Sequence, residues 1–294
     1  MPVDFLGIGA THPGTETAPR TGPAFDPEYT VRLARAHEDN HWDRLLFAYS
    51  ASSPDPAQAA ALVGQHSDTV SLVVAHRPNV SVPTHAATTL ATLDQATGGR
   101  VQIHVITGGS TADQAAEGDH LPKDERYERT REYIQILKSA WTSPTPFDFT
   151  GRHYRLEQFV SDVPPATRPR PLISFGGSSA AAYAVGAAEA DVFALWGEPL
   201  AGTREQLASI EAAAVAAGRP DRPGIQIAFR PIIAPTRAAA EEKAQRILAQ
   251  LQQAPRRRPG APENAGSQRL LAQAAGADRH DRALWTATAA ATGG

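Results

Sequence analysis

The chain has 294 residues, 41% apolar, 20% charged and 6% aromatic, with 24 prolines and 23 glycines, the make-up of one large globular domain or two small ones. A balance of 28 basic against 31 acidic side chains gives a formal charge of -3, so nothing electrostatic points to nucleic acid. The absence of cysteine excludes a disulfide scaffold, a thiolate-bound metal and a thiol nucleophile, and every apolar run is broken well before the ~18 residues of a membrane span.

The amino terminus, MPVDFLGIGATHPG, lacks the basic and continuous apolar regions of a secretory signal, so the protein is expected in the cytoplasm. From there, short β-rich runs alternate with longer Ala-rich stretches. Strands are expected at Val3 to Ile8, Asp43 to Phe47, Val70 to Ala75, Val101 to Ile106, Leu172 to Phe175, Val192 to Trp196 and Ile225 to Ile233. Helices are expected at Asp26 to Asn40, Pro56 to Gln65, Pro83 to Thr97, Asp124 to Trp141, Ala180 to Ala188, Gly202 to Ala217 and Arg237 to Gln252. Each strand is followed by a helix, the pattern of βα units around a parallel sheet, and runs such as Val-Ser-Leu-Val-Val-Ala suit strands buried on both faces.

The architecture expected is α/β, a single (β/α)8 TIM barrel over residues 1–294, which normally takes about 250 residues and eight units. Two segments, 107–170 and 235–294, read as insertions or lids after the fourth and seventh strands. The tail ends in TATAAATGG, without a strand signal, so the eighth βα unit is expected to be missing from a truncated chain, and 254–266 to be disordered.

The segment Pro171 to Ser179, PLISFGGSS, runs from a strand into a helix. Gly177, Ser178 and Ser179 there bring backbone N–H groups and two hydroxyls to the positive end of a helix dipole, which suits a phosphate; the other reading is an ordinary strand-helix turn with Ser179 as the N-cap. The carboxyl ends of strands form the active face of a barrel, which favours the first reading. The same rule selects His12 after the first strand, Tyr49 to Ser53 after the second, and His76-Arg77-Pro78-Asn79 after the third. It also selects His104 and Thr107 at the fourth, Trp196-Gly197-Glu198-Pro199 at the sixth, and Arg230 within the seventh. The ten histidines form neither His-x-His nor HExxH, so no metal is expected, and no G-x-S-x-G elbow announces a serine hydrolase. An organic cofactor with a phosphate handle would supply the missing chemistry.

Three stretches carry a family resemblance: AHRPNVSVPTHAATTLATLDQATGGRVQIHVITGG, the ERY-containing run from Val105 to Glu157, and PLISFGGSSAAAYAVGAAEADVFALWGEP. With ERY, FGGSS and LWGEP in this order, the chain resembles the bacterial luciferase-like flavin-dependent monooxygenases, nearest their alkanesulfonate monooxygenase branch, from the first strand to about Thr236. The resemblance implies a two-component enzyme. It implies that reduced FMN comes from a separate NAD(P)H-dependent flavin reductase and reacts with O2 to oxygenate a small organic substrate, anionic and alkanesulfonate-like in the branch it most resembles. The flavin phosphate would lie at Gly177, Ser178 and Ser179 with help from Tyr127, and its ring near Ala75, His104 and Thr107. The Ala75–His76 link matches the family's non-prolyl cis peptide. His12, His76, Arg77 and Arg230 are candidate cations for an anionic substrate, with Trp196 as an apolar wall; the catalytic set is then His12, His76, Trp196 and Arg230. A homo-oligomer is implied. Against the alkanesulfonate enzymes, Ser53 replaces a loop cysteine, Ala228 and Arg230 stand for an Arg and a His, and Thr292 for a lid arginine. Two other readings stay open: a deazaflavin (F420)-dependent oxidoreductase of the same superfamily, and a truncated, non-catalytic flavin-binding barrel.

Overall fold

The computed structural model describes residues 3–253 and 262–292. The described residues fall into two compact units: the first takes those within Met1–Pro13, Arg20–Phe175 and Glu189–Val192, the second those within Gly14–Pro19, Gly176–Ala188 and Phe193–Gly294.

The first unit runs β1 (Leu6–Ile8), α1 (Pro27–Asp39), β2 (Arg44–Phe47), α2 (Pro56–Gly64), β3 (Ser71–His76), α3 (Pro83–Ala96), β4 (Val101–Val105), α4 (Thr111–Ala115), α5 (Lys123–Thr142), β5 (Phe147–Thr150), β6 (Arg155–Phe159) and β7 (Ile173–Gly176). Proline opens α1, α2 and α3, where its fixed φ suits the first turn and its missing N–H costs nothing. Asp26 and Asp55 cap the first two of these helices by accepting the N–H of Tyr29 and Gln58, each at 2.9 Å. The strands β1-β2-β3-β4-β7 pair in parallel in that order. Leu72, Val73, Val74 and Ala75 of β3 are all buried, as a strand covered on both faces requires. Against this sheet α5 packs Tyr133, Ile134, Ile136 and Leu137, each 0% exposed.

The second unit runs α6 (Ala180–Glu189), β8 (Val192–Trp196), α7 (Leu200–Ala216), β9 (Gly224–Ala228), α8 (Arg237–Gln253), α9 (Ala265–Gly276), β10 (Arg279–His280), β11 (Leu284–Trp285) and α10 (Ala287–Thr292). Its apolar interior is built on Ala182, Phe193, Leu195, Ile210 and Ala214. The strands β8 and β9 are neighbours, and β10 pairs antiparallel with β11.

All seven expected strands and all seven expected helices are present, and four expectations are corrected. The seventh strand ends at Ala228, not Ile233, because Pro231 has no N–H to continue a ladder. Arg230 therefore lies beyond the strand rather than within it. The segment 107–170 holds α4 and the antiparallel β5–β6 hairpin besides its long helix, and Glu132 of α5 supports the hairpin turn by accepting the N–H groups of Arg152, His153 and Tyr154. The tail contains β10, β11 and α10, although it gave no strand signal. Of the stretch expected to be disordered, 254–261 lies outside the described residues, while Asn264 caps α9 through the Ser267 N–H at 2.7 Å. Among the described residues no eighth parallel strand occurs.

Candidate functional site

The register of the first unit decides which rim residues share a face. Ala75 lies opposite His104, and His104 opposite Ser174, so these three project to one side of the sheet. His104 Nδ1 is 2.9 Å from the Ser174 hydroxyl, which itself donates to the Ile103 carbonyl at 3.3 Å. A serine has one hydroxyl hydrogen, so Nδ1 carries the proton and Nε2 keeps its lone pair. Burial pushes the His104 pKa down to about 4, leaving the ring neutral at pH 7. Sequence reasoning missed Ser174, whose only signal was its place one residue into an otherwise apolar strand.

His76 pairs with Val105, not with His104, and so projects to the opposite face. There its Nε2 lies 2.7 Å from the Tyr133 hydroxyl of α5, and burial lowers its pKa to about 4. It is neutral and bound to the helix layer, which corrects its reading as a rim cation. The Ala75–His76 link is trans: the only cis peptide among the described residues is Arg168–Pro169, and β3 continues in regular register through His76.

Arg77 is also not a free cation. Its side chain is 4% exposed and holds Asp113 and Glu117, each at 2.6 Å, while its guanidinium lies 4.9 Å from the Tyr49 ring centroid. Tyr49 and Asn79 both donate to Glu117. Desolvation alone would raise the Glu117 pKa, but these hydrogen bonds and the Arg77 charge outweigh it and hold the carboxyl below its ordinary value. The cluster ties the segment after β4 to the ends of β2 and β3. Thr107 does similar work from β4: it is buried and donates to Thr130 of α5 at 3.2 Å. Tyr127 is buried edge-on to Phe175, 6.3 Å between centroids. His12 is half-buried in the segment after β1.

In the second unit, Gly177 has φ +150°, a conformation L side chains rarely adopt. Ser178 and Ser179 follow at the amino end of α6. The Ser179 oxygen accepts the Ala182 N–H at 3.2 Å, so the N-cap reading is correct. It does not exclude the other, since capping residues and bound anions both meet the N–H groups of a helix amino end. Trp196, at the end of β8, is 49% exposed. Arg230 projects into solvent, 88% exposed, paired with Glu16 at 2.6 Å.

In the second unit the donor set suits a phosphate: a positive-φ glycine permits close backbone approach, and two hydroxyls with the first N–H groups of a ten-residue helix suit a dianion. In the first unit, taken by itself, a neutral imidazole suits a ring bearing N–H donors. Among the described residues no group of three His, Asp or Glu side chains is placed to hold a metal, and no helix is long and apolar enough to cross a membrane.

Comparison with known proteins gives the class. The family model described as luciferase-like monooxygenase matches residues 6–293, and the chain belongs to that family. Its α/β fold is the luciferase-like, TIM-barrel-like one. Among solved structures it is similar to the EDTA monooxygenase EmoA from Chelativorans sp. BNC1, with 19% identity over 84% of this chain and 66% of that one and a TM-score of 0.73. It is also similar to the riboflavin lyase RcaE, solved with modified FMN and riboflavin, with 22% identity over 90% and 75% and a TM-score of 0.75. A third likeness is to an F420-dependent secondary alcohol dehydrogenase holding an F420-acetone adduct, with 17% identity over 76% and 68% and a TM-score of 0.64. At these identities the likeness is one of fold. The chain spans 66% of the EDTA monooxygenase's length.

Proposed function

We propose that this protein is the oxygenating component of a two-component system, using FMN reduced by a separate NAD(P)H-dependent reductase to oxygenate a small organic substrate with O2. The observation that carries the reading is the Gly177-Ser178-Ser179 turn, with its positive φ and its two hydroxyls heading α6. Bound reduced FMN would supply the electrons that activate O2. The chain's own groups would bind and orient: in the second unit the Ser178 and Ser179 hydroxyls and the α6 N–H groups would take the phosphate, and Tyr127 of the first unit is a further candidate carried over from the resemblance. In the first unit, the small side chain of Ala75 would leave room for a flat ring, His104 Nε2 would accept from it, and Thr107, bound to Thr130, would steady the segment just after β4.

His12, Trp196 and Arg230 are proposed on the substrate side, with His76 supporting β3 from behind. Ser53, Ala228 and Thr292 depart from the alkanesulfonate pattern, so the proposed substrate class is a small anion rather than a sulfonate in particular. The test is direct. Titration with FMN should give a saturable complex, and turnover with a flavin reductase, NADH, O2 and a panel of small carboxylates and sulfonates should yield oxygenated product in proportion to NADH consumed. NADH oxidation yielding only hydrogen peroxide with every substrate would defeat the reading, and binding of F420 in preference to FMN, read from bound-cofactor absorbance, would replace it with hydride transfer.

A further inference from the structure

The second unit buries a carboxylate for which the reading above has no use. Glu198, two residues past Trp196 in the turn after β8, has a side chain 3% exposed. Its Oε1 accepts from Gln206 of α7 and from the Arg269 guanidinium at 3.1 Å; its Oε2 accepts from Arg269 Nε at 3.2 Å and from Gln273. Both Arg269 and Gln273 belong to α9, so one carboxylate gathers two helices onto one turn.

The surroundings are shaped to it. A Cβ at Gly202 would lie 3.0 Å from the Glu198 carboxyl carbon, and a Cβ at Gly266, in the first turn of α9, would lie 3.3 Å from the Trp196 ring. The amide of Gln206 cannot flip without loss, because its oxygen accepts the Tyr183 hydroxyl at 3.0 Å while its nitrogen donates to Glu198. Burying this charge is costly, and a buried ion pair is weak evidence for stability alone, since apolar side chains of like volume do as well. What the carboxylate gives instead is direction: it brings the glycine-bearing turn of α9 onto one side of Trp196.

We propose that Glu198 is a positioning residue, clamping α9 through Arg269 and Gln273 so that Gly266 fixes the Trp196 ring. Its bearing on substrate choice rests on the reading of Trp196 as a substrate wall. The functional consequence is that the shape of this wall is set from α9, outside the strand that carries it.

Hydrogen exchange of the full chain, with acrylamide quenching of Trp196 taken as the difference between each variant and its Trp196→Phe partner, tests the clamp. In Glu198→Gln, α9 amides should exchange about tenfold faster, as expected from weakening charge-assisted hydrogen bonds, and Trp196 should become more accessible to quencher. Gln273→Leu, which removes one donor and keeps the charge pair, should show the same two changes to a smaller degree and serves if Glu198→Gln does not fold. Arg269→Met should be partly rescued by adding Glu198→Gln, because the double variant leaves no unpaired charge. Unchanged α9 exchange, or faster exchange with Trp196 quenching unmoved, overturns the proposal. A Trp196→Phe protein that oxygenates small carboxylates and sulfonates with wild-type KM would overturn the wall reading and leave the clamp to be judged by exchange and quenching.

Discussion

Ser179 has one observed duty and one proposed, and a single substitution can separate them. Its oxygen caps α6 through the Ala182 N–H, and its hydroxyl hydrogen is proposed to reach the flavin phosphate. Replacement by alanine removes both; loss of the cap costs about 1 kcal/mol of stability, and loss of a hydrogen bond to a charged group about 1.5–3 kcal/mol of binding. Replacement by aspartate is more informative. Aspartate caps a helix as well as serine does, so the melting temperature should hold, but it sets a negative charge beside the proposed phosphate. At ~4 Å and an effective dielectric of about 20, one such charge pair costs about 4 kcal/mol, and screening at this half-exposed turn brings the net to about 3. FMN affinity of Ser179→Asp should therefore fall at least ~100-fold. Riboflavin, the same ring without phosphate, should bind within about threefold of wild type, since it never meets that charge. Fluorescence titrations with both flavins, alongside thermal melts, give the comparison. FMN binding within threefold of wild type in Ser179→Asp would remove the phosphate from this turn, and equal loss of both flavins would show general damage rather than charge repulsion.

Arg77→Met should lower stability by about 2–3 kcal/mol, the low end for breaking a buried pair because Asp113 and Glu117 keep some solvent. At about 2–4 °C per kcal/mol for a chain of this size, the melt should fall by roughly 5–10 °C, and adding Glu117→Gln should recover part of it. His104 should make stability depend on pH. Its folded pKa of about 4 lies below the ordinary 6.5, so the unfolded chain binds a proton first, and stability is lost as pH falls from 6.5 toward 4. The loss is about 1–3 kcal/mol, and urea midpoints at pH 7 and 5 should differ less in His104→Gln than in wild type. Arg230→Ala should leave the melt and FMN affinity unchanged, since an exposed pair is worth about 0–1 kcal/mol, yet lower kcat/KM for anionic substrates. Equal loss of flavin binding would show that Arg230 is structural.

The strands were legible because they are short apolar runs between turn-forming or helical stretches, most continuous where both faces are buried, as in Ser71–His76. The β5–β6 hairpin also left a trace, the alternation in FDFT and YRLEQF around a glycine, but its anchor is Glu132, on a helix some twenty residues upstream. No local window contains that contact. The helix α4 is only five residues long, too short for periodicity to show, and rests on its Ser110 cap and the segment tied down by Arg77. Side-chain direction was lost in a different way. His76 and His104 both stand at strand ends, so strand order alone puts them on one rim; register puts Ala75 beside His104 and turns His76 away. The same gap separates the sequence from Glu198, whose partners Arg269 and Gln273 lie 71 and 75 residues on.

Charge pairing also narrows where an anionic substrate can be met. Sequence analysis offers His12, His76, Arg77 and Arg230 as candidate cations, and the structure separates the last three. Burial removes His76, because a ring whose pKa is about 4 carries no charge at pH 7. Recruiting Arg77 would strip two carboxylates of their partner in a buried cluster, at a cost of several kcal/mol that a small anion does not return. Arg230 is held by Glu16 in solvent, where the pair is worth about 0–1 kcal/mol and exchange of one carboxylate for another is nearly free. The weakness of that surface contact is what favours the proposed role: of His76, Arg77 and Arg230, the arginine whose pairing is worth least is the one that an incoming anion would take over at least cost.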